Sequence, residues 1–355
     1  MTERRAAGLV APGDLLRASR ADARGPELGH EPTPPLPRRL HIEVTNRCNS
    51  LCTTCVRTRD PEPDWDLRPA DLERMLAELA DLESVALQVN GEPLLYRELP
   101  WLVSHLAARG VRAELNTNAV TLEHELARKL VDGSLAQLNV SLDGATAQTY
   151  ARIRGVDAFD RVVRNVSSFL ALRGPAPAAP RVVLWMTISR QNVAELEALV
   201  DLAIRLGVDG LYLQRLVFFE YGFARADDSL HGRLGEADAD AVARATSKAR
   251  DAGLDVSASG GHAPDAMLRA LEEDPEPFRA CRRPSESAVI MANGDVVPCC
   301  ISTFTAPRAA ITMGNVLERS MTEVWSGERY RAFRAALRHG TPPECCARCG
   351  VCWSL

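Results

Sequence analysis

The stretch that decides the fold is Leu40-His41-Ile42-Glu43-Val44, followed after three residues by Cys48-Asn49-Ser50-Leu51-Cys52-Thr53-Thr54-Cys55. Apolar and polar residues alternate in the first segment, which predicts a β-strand. The second segment places three thiols within eight residues, directly after that strand. The sequence therefore predicts a thiol-rich loop at the end of a first strand.

This loop is one ligand short of a closed metal site. A structural zinc and a fully protein-bound iron–sulfur cluster both take four ligands. Three thiolates can hold three corners of a [4Fe–4S] cube and leave the fourth iron open to a ligand from outside the protein. The alternatives are a zinc site that borrows a distant fourth ligand, or unrelated free cysteines.

Composition limits the function classes. A chain of 355 residues with 46% hydrophobic residues can bury a large core, and its length predicts two structural units. A net charge of −5 gives no general reason to bind nucleic acid or an anionic membrane, and we find no apolar run long enough to cross a membrane. The cysteines lie in three groups, at 48–55, 281–300 and 345–352, which predicts metal ligands in a reducing cytoplasm.

Strand-like and helix-like stretches alternate from residue 40 to about 216. The helical stretches carry apolar residues at i, i+3, i+4 and i+7, and alternating βα units predict a parallel sheet. Six units suit an open (β/α)6 barrel; strands are too few for an eight-unit barrel, and a Rossmann-like sheet would lack its phosphate fingerprint. The predicted strands are 40–45, 84–90, 112–116, 136–142, 181–188 and 210–215.

Each predicted strand ends in polar residues. Since the carboxyl ends of the strands of a parallel α/β barrel open on one mouth, these groups should converge there. After the cysteine loop, the second to sixth strands end in Asn90-Gly91-Glu92-Pro93, Asn116-Thr117-Asn118, Ser141-Leu142-Asp143-Gly144, Thr187 with Ser189 and Arg190, and Gln214-Arg215.

The CxxxCxxC loop after a first strand resembles the signature of the radical S-adenosylmethionine (SAM) enzymes. The resemblance implies that Cys48, Cys52 and Cys55 hold a [4Fe–4S] cluster whose open iron binds SAM. Thr54 departs from the family, which usually has an aromatic residue there. The resemblance further implies cofactor-binding roles for Gly91, Glu92 and Pro93 around the SAM ammonium, for Asn118, Ser141 and Asp143 near its ribose and carboxylate, for Arg154 on its carboxylate, and for Leu213 against adenine.

A second cysteine region lies near the end of the chain. The sequence predicts a β-hairpin with a type I′ turn at Asn293-Gly294, then a helix whose buried stripe runs from Met321 to Leu337 and includes Trp325, Tyr330 and Phe333. This order, ending in CxxC, resembles the SPASM or twitch auxiliary-cluster extension. That resemblance implies one auxiliary [4Fe–4S] cluster, or a zinc ion as the alternative, held by Cys281, Cys299, Cys346 and Cys349, with Cys345 and Cys352 as alternates.

The expected fold is α/β: a partial (β/α)6 radical SAM barrel with a small C-terminal SPASM/twitch-like domain. The predicted divisions are a flexible leader at 1–38, the barrel at 39–232, a linker or helical region at 233–280 and the auxiliary domain at 281–355. The leader, too short for a peptide-recognition domain, favours a small substrate.

The resemblance implies an enzyme that generates a 5′-deoxyadenosyl radical and receives electrons from a reductant such as flavodoxin or ferredoxin. The first expectation is an oxidoreductase or epimerase of a sugar, aminocyclitol or other small molecule in natural-product biosynthesis. The alternatives are a peptide-modifying maturase and a non-catalytic metal-binding scaffold. An epimerase needs a hydrogen-atom donor, for which Cys300 is the candidate; it is otherwise a buried thiol. A general base cannot be placed, although Arg215, Glu220, Tyr221 and His231 are near in sequence.

Overall fold

The computed structural model of the protein describes residues 33–58, 62–174, 179–216, 224–230, 233–259, 264, 281–347 and 349. The chain divides into a unit of residues 1–33 and a unit of residues 34–355, and all the elements below belong to the second. Most of the leader, the residues Glu220, Tyr221, His231 and Cys352, and most of 260–280 lie outside the described residues.

One sheet of ten strands organises the described part of the chain, in the order β10-β9-β8-β1-β2-β3-β4-β5-β6-β7. Strands β1 to β7 are parallel neighbours in strict chain order. A Rossmann-like sheet would reverse its order, so the structure confirms the partial barrel. The strands are β1 (Arg39–Ile42), β2 (Ser84–Leu87), β3 (Arg112–Thr117), β4 (Gln137–Ser141), β5 (Arg181–Ile188), β6 (Gly210–Arg215), β7 (Asp255–Ala258), β8 (Ser287–Ile290), β9 (Asp295–Val297) and β10 (Gly314–Asn315).

Helices connect the parallel strands and cover the outer face of the sheet. None of the described helices is long and apolar enough to span a membrane. The helices are α1 (Pro69–Ala77), α2 (Leu99–Ala108), α3 (His124–Asp132), α4 (Ala147–Arg154), α5 (Phe159–Arg173), α6 (Leu196–Leu206), α7 (Glu236–Asp251), α8 (Arg283–Glu286), α9 (Arg308–Ile311), α10 (Met321–Trp325), α11 (Glu328–Arg338) and α12 (Glu344–Ala347).

The two faces of each central strand have different chemistry. On β5, Leu184 and Met186 belong to the apolar core, whereas Trp185 and Thr187 face the interior of the barrel. The same division holds on β4, where Leu138 is in the core and Asn139 faces inward. Because successive side chains of a strand point to opposite faces, this alternation puts apolar groups under the helices and polar groups inside the barrel.

The C-terminal region continues the barrel sheet. Strand β8 pairs parallel with β1, and β9 returns antiparallel to β8, which confirms the predicted hairpin. The predicted type I′ turn is wrong: Gly294 has a φ of +85°, but Asn293 is not left-handed. The N–H of Gly294 donates to the carbonyl of Met291 at 2.8 Å, and the N–H of Met291 donates to the carbonyl of Asp295 at 2.8 Å. This is a type I turn followed by a glycine bulge.

The single helix predicted after the hairpin is two helices. Helix α10 ends at Trp325, and Gly327 is the N-cap of α11. The stripe expected to be buried, which includes Trp325, Tyr330 and Phe333, is buried. The break lets both helices turn their apolar residues to the same core.

Candidate active site

A cavity of about 460 Å³ occupies the barrel interior. Its lining comes from the cysteine loop, from the inward side chains of β1 to β6, from residues that follow these strands, from Arg154 on α4, and from a segment of the C-terminal region that contains Cys300, Ile301 and Phe304. The candidate residues that line it are Cys48, Cys52, Cys55, Gly91, Glu92, Asn118, Ser141, Asp143, Arg154 and Cys300.

Two candidates lie elsewhere. Pro93 is buried directly behind Glu92, as the first residue of a short 3₁₀ helix. Leu213, expected against adenine, is buried in the apolar core on the outer face of β6, whereas its neighbours Tyr212 and Gln214 line the cavity. Strand alternation explains this correction: a side chain between two inward residues must point outward.

The cysteine loop is docked on the C-terminal end of α4. The N–H of Leu51 donates to the carbonyl of Arg154 at 3.2 Å, and the N–H of Thr53 donates to the carbonyl of Ile153 at 2.9 Å. Gly155 ends the helix with a φ of +66°, and a Cβ there would lie 2.3 Å from the carbonyl oxygen of Leu51. Only glycine therefore allows this contact.

Burial favours the protonated form of the three thiols of the loop. Burial raises the pKa of Cys55 to about 11, and burial also raises the pKa of Cys48 and of Cys52. Thiolates are the metal-binding form, so a metal or cluster must displace these protons when it binds.

Glu92 is a buried carboxylate with defined partners. One oxygen accepts from the Thr117 hydroxyl at 2.6 Å and from the N–H of Leu94 at 3.0 Å, and the other accepts from the N–H of Asn118 at 2.7 Å. Burial raises the pKa of Glu92, while these hydrogen bonds and the charge of Arg154 oppose the rise. These hydrogen bonds hold the carboxylate at the cavity wall, where it could pair with an ammonium group.

Asn118 links this carboxylate to the cysteine loop. Its amide nitrogen donates to the side-chain oxygen of Asn49 at 2.7 Å and to the hydroxyl of Ser50 at 3.0 Å. A single asparagine therefore fixes the distance between the thiols and Glu92.

Arg154 and Asp143 form a buried ion pair of 3.0 Å. The other oxygen of Asp143 accepts from the N–H of Thr187 at 2.7 Å. Burial lowers the pKa of Arg154, but the charges of Cys52 and Asp143 outweigh it and raise the pKa overall. The Nε of Arg154 is buried without a hydrogen-bond partner among the described residues, which suits an incoming carboxylate.

Polar side chains fill the barrel below this rim. The amide of Gln137 donates to Asn139 at 2.8 Å, and that of Asn139 donates to Asn116 at 2.8 Å. The indole N–H of Trp185 donates to Gln214 at 2.7 Å. The rings of Trp185 and Tyr212 lie 4.1 Å apart between centroids.

Several of these interior residues were not singled out from the sequence. They are His41, Gln88, Gln137, Asn139, Trp185 and Tyr212. The available signal was the polar half of each alternating strand, for example Gln137 and Asn139 against Leu138 and Val140. A strand that packs against helices on one side and borders a cavity on the other needs one apolar face and one polar face.

A second, smaller cavity gathers the C-terminal thiols. Cys281, Cys299, Cys345, Cys346 and Cys349 line it, which includes the predicted ligand set and one alternate. Burial raises the pKa of Cys299 to about 12. The described part of the chain contains no group of three or more His, Cys, Asp or Glu side chains arranged for a single metal ion. Of the described cysteines after residue 280, Cys300 lines the first cavity instead.

Both cavities fit the groups implied by the resemblance. In the first, three thiols share a cavity with a buried carboxylate, for the ammonium of SAM, and with a guanidinium whose buried Nε–H has no partner among the described residues and could bind the carboxylate of SAM. In the second, soft thiols are the donor set that iron–sulfur clusters take.

Comparisons with known proteins agree with this assignment. The sequence profile of the radical SAM superfamily matches residues 42–203, and that of SPASM, an iron-sulfur cluster-binding domain, matches residues 281–350. The chain is 27% identical to Fe-coproporphyrin III synthase of Methanosarcina barkeri over 360 residues, 96% of this chain and 88% of that protein. It is 31% identical to mycofactocin maturase MftC of Mycobacterium tuberculosis over 169 residues, 47% of this chain and 42% of that protein.

Solved structures share the fold. Streptococcus suis SuiB bound to S-adenosylmethionine has a TM-score of 0.65 at 20% identity, over 84% of this chain and 68% of that chain. The structure anSMEcpe with bound AdoMet and a Cp18Cys peptide has a TM-score of 0.63 at 17% identity, over 89% of this chain and 88% of that one.

The family expectation is thereby confirmed, together with the enzyme class and the cofactors: SAM, its [4Fe–4S] cluster and auxiliary iron–sulfur binding. This chain is a radical SAM enzyme with a C-terminal SPASM domain.

Proposed function

We propose that the protein removes a hydrogen atom from a carbon of a small polyhydroxylated or amino-substituted molecule, such as a sugar or aminocyclitol of natural-product biosynthesis. The observation that carries the proposal is the amide-rich, aromatic interior of the barrel, formed by Asn116, Gln137, Asn139 and Gln214 with Trp185 and Tyr212.

This interior suits a ligand with many hydrogen-bonding groups such as hydroxyls. In the described contacts Asn116 and Gln214 both accept hydrogen bonds through their side-chain carbonyl oxygens. Their side-chain amide nitrogens therefore remain able to donate to a ligand. The partly exposed faces of Trp185 and Tyr212 offer a surface for the C–H groups of a ring.

His41 adds a neutral donor rather than a charge. Burial, followed by the charge of Arg283, lowers the pKa of His41 to about 4. The side-chain nitrogen of Gln88 lies 3.1 Å from Nδ1 of His41, and an amide nitrogen can only donate. Nδ1 therefore accepts, and Nε2 carries the proton.

The residues of the rim would hold the cofactor as follows. Cys48, Cys52 and Cys55 bind the cluster, Glu92 takes the SAM ammonium, and Arg154 takes its carboxylate. Asn118 and Ser141 lie where the carboxylate and ribose bind, and Asp143 positions Arg154. When bound, SAM and its cluster supply the radical that takes the hydrogen atom. A flavodoxin- or ferredoxin-class reductant provides the electron. We assign one auxiliary [4Fe–4S] cluster to Cys281, Cys299, Cys346 and Cys349, with Cys345 as the described alternate.

The position of Cys300 favours epimerisation over dehydrogenation. Its thiol lines the cavity from the C-terminal region, whereas the cysteine loop lines it from the end of β1. The S–H bond of Cys300 breaks, and its hydrogen atom forms a new C–H bond on the substrate carbon. The sulfur radical left behind takes one electron from the reductant and one proton from solvent, which restores the thiol.

The test is turnover in deuterated buffer with reconstituted protein, SAM, reductant and candidate polyols or aminocyclitols. We expect an isomer that carries one solvent deuterium. We expect Cys300→Ala to consume SAM and substrate without forming that isomer. A product lighter by two hydrogens would mean a dehydrogenase, and an unchanged isomer yield from Cys300→Ala would remove the donor role.

A peptide-modifying maturase is the second candidate. Its support is the likeness to mycofactocin maturase MftC over 47% of the chain; among the structures of the same fold, SuiB is also solved with its precursor peptide SuiA. Release of 5′-deoxyadenosine with peptides but with none of the small molecules would favour this candidate.

A further inference from the structure

Arg283 lies between the two cavities. It is the first residue of α8, two positions after Cys281, and only 8% of its surface is exposed. Its guanidinium Nη1 is 3.7 Å from the sulfur of Cys300 on the wall of the first cavity. The same side chain lines the second cavity together with Cys281, Cys299 and Cys349.

The described surroundings of this guanidinium include four cysteines, Cys300, Cys299, Cys281 and Cys349. Three of these four residues belong to the second cavity. The cation therefore lies within electrostatic range of the thiol set that would hold an auxiliary cluster.

A buried positive charge beside a cluster stabilises the reduced state of the cluster more than its oxidised state. Reduction adds a negative charge to the cluster, and the attraction between that charge and a nearby cation is strong where water is excluded. Net charge, hydrogen bonds to sulfur and solvent exposure are the protein's main controls over cluster potential. Arg283 supplies a positive charge from inside the protein.

We propose that Arg283 is a positioning residue that raises the reduction potential of the auxiliary cluster and so makes that cluster a better electron acceptor. The proposal rests on the assigned ligands Cys281, Cys299 and Cys349, not on the identity of the substrate. Arg283 also holds Cys300 at the wall of the first cavity, so one side chain contacts both sites.

The test is a redox titration of the auxiliary cluster followed by electron paramagnetic resonance. The background is the full chain with Cys48→Ala, Cys52→Ala and Cys55→Ala, so that the auxiliary cluster gives the only signal. The neutral variants are Arg283→Gln and Arg283→Met. The matched control is Arg282→Gln, because the side chain of Arg282 is 78% exposed and pairs with Glu286.

We expect each neutral variant that keeps the auxiliary cluster to be harder to reduce. The reduced-to-oxidised ratio at a fixed potential should fall at least tenfold, which corresponds to about 59 mV for a one-electron couple. Arg282→Gln should titrate like the unmodified background, because its charge is screened by water.

A neutral variant that titrates like Arg282→Gln would overturn the proposal. Loss of auxiliary iron from both neutral variants would overturn it as well, since Arg283 would then be needed for assembly rather than for potential. Neither readout needs substrate or turnover, so the result stands apart from the test of the proposed function.

Discussion

The carboxylate of Glu43 accepts a hydrogen bond from the backbone N–H of Ala292, at 3.2 Å and across 249 positions of the sequence. Its other oxygen accepts from the N–H groups of Asn90 at 3.0 Å and Gly91 at 3.2 Å. Glu43 follows β1 directly, so one buried side chain ties the first strand, the Gly91-Glu92 loop and the C-terminal hairpin together. Burial raises the pKa of Glu43, and the three backbone bonds oppose the rise.

Replacing Glu43 by Gln should loosen this junction. One acceptor oxygen becomes an NH₂ group that faces N–H donors, so at least one bond to the carboxylate is lost, at a cost of about 2 kcal/mol in the free energy of unfolding. Anaerobic urea unfolding measures the change. Glu318→Gln is the control: Glu318 is exposed, and its replacement should stay within about 0.5 kcal/mol. Equal stability of the two variants would contradict the role of Glu43.

Gly155→Ala should displace the cysteine loop. The new methyl group would lie 2.3 Å from the Leu51 carbonyl oxygen, and the loop must move to accept it. We expect a loss of about 3 kcal/mol or more, since a steric clash adds to backbone strain, and a lower iron content of the first cluster. Gly207→Ala is the matched control, because its φ is also positive but no atom lies within 4 Å of the new Cβ. It should cost only about 1 kcal/mol and leave the iron content intact.

Thr117→Val should shift the pH dependence of SAM binding. Only ionised Glu92 can pair with an ammonium group, so affinity should increase as pH rises through the pKa of that carboxyl. The Thr117 hydroxyl lowers this pKa, and its removal should move the midpoint to higher pH and weaken binding at neutral pH about tenfold. Equilibrium binding of SAM between pH 5 and 8 measures both effects. Thr121→Val is the control, because the buried Thr121 hydroxyl has no described partner. If the two variants showed the same dependence of SAM binding on pH, the role of Thr117 would be contradicted.

His41 should make the protein less stable in mild acid. Its pKa is about 4 in the folded chain, against 6.5 for the ordinary side chain. The unfolded chain therefore binds a proton first, and stability falls as pH decreases from 6.5 towards 4, by at most about 3 kcal/mol. His41→Gln should flatten the curve of unfolding free energy against pH in that window and leave it unchanged above pH 7. An unchanged slope below pH 6.5 would show that another group titrates there.

The strand framework was predictable because its signal is local. Strands β5 and β6 have the predicted bounds, since β-branched and apolar runs bounded by turn residues need no distant partner to be recognised. The cysteine loop was equally clear, because three thiols at fixed spacing after a strand have few other uses. Glu92, Asn118 and Asp143 converge on one cavity, as the rule about strand ends predicts.

What sequence could not supply depends on distant contacts. The inward direction of Tyr212 and the outward direction of Leu213 follow from which face of β6 meets the helices, and a single strand does not show this. The pairing of β8 with β1 joins residues about 250 positions apart, and no local pattern encodes such a pairing. The turn at Asn293-Gly294 failed for a different reason: the same dipeptide serves two hairpin geometries, and the register of β9 selected the bulged one.

The parallel pairing of β8 with β1 means that the C-terminal region covers the outer edge of the first barrel strand. A chain cut after residue 280 would leave the outer backbone groups of β1 without partners, and a bare strand edge recruits strands from other molecules. The segment that carries the auxiliary ligands thus covers the edge of the strand before the first iron site, so each iron centre should be studied in the full chain and not in a truncated one.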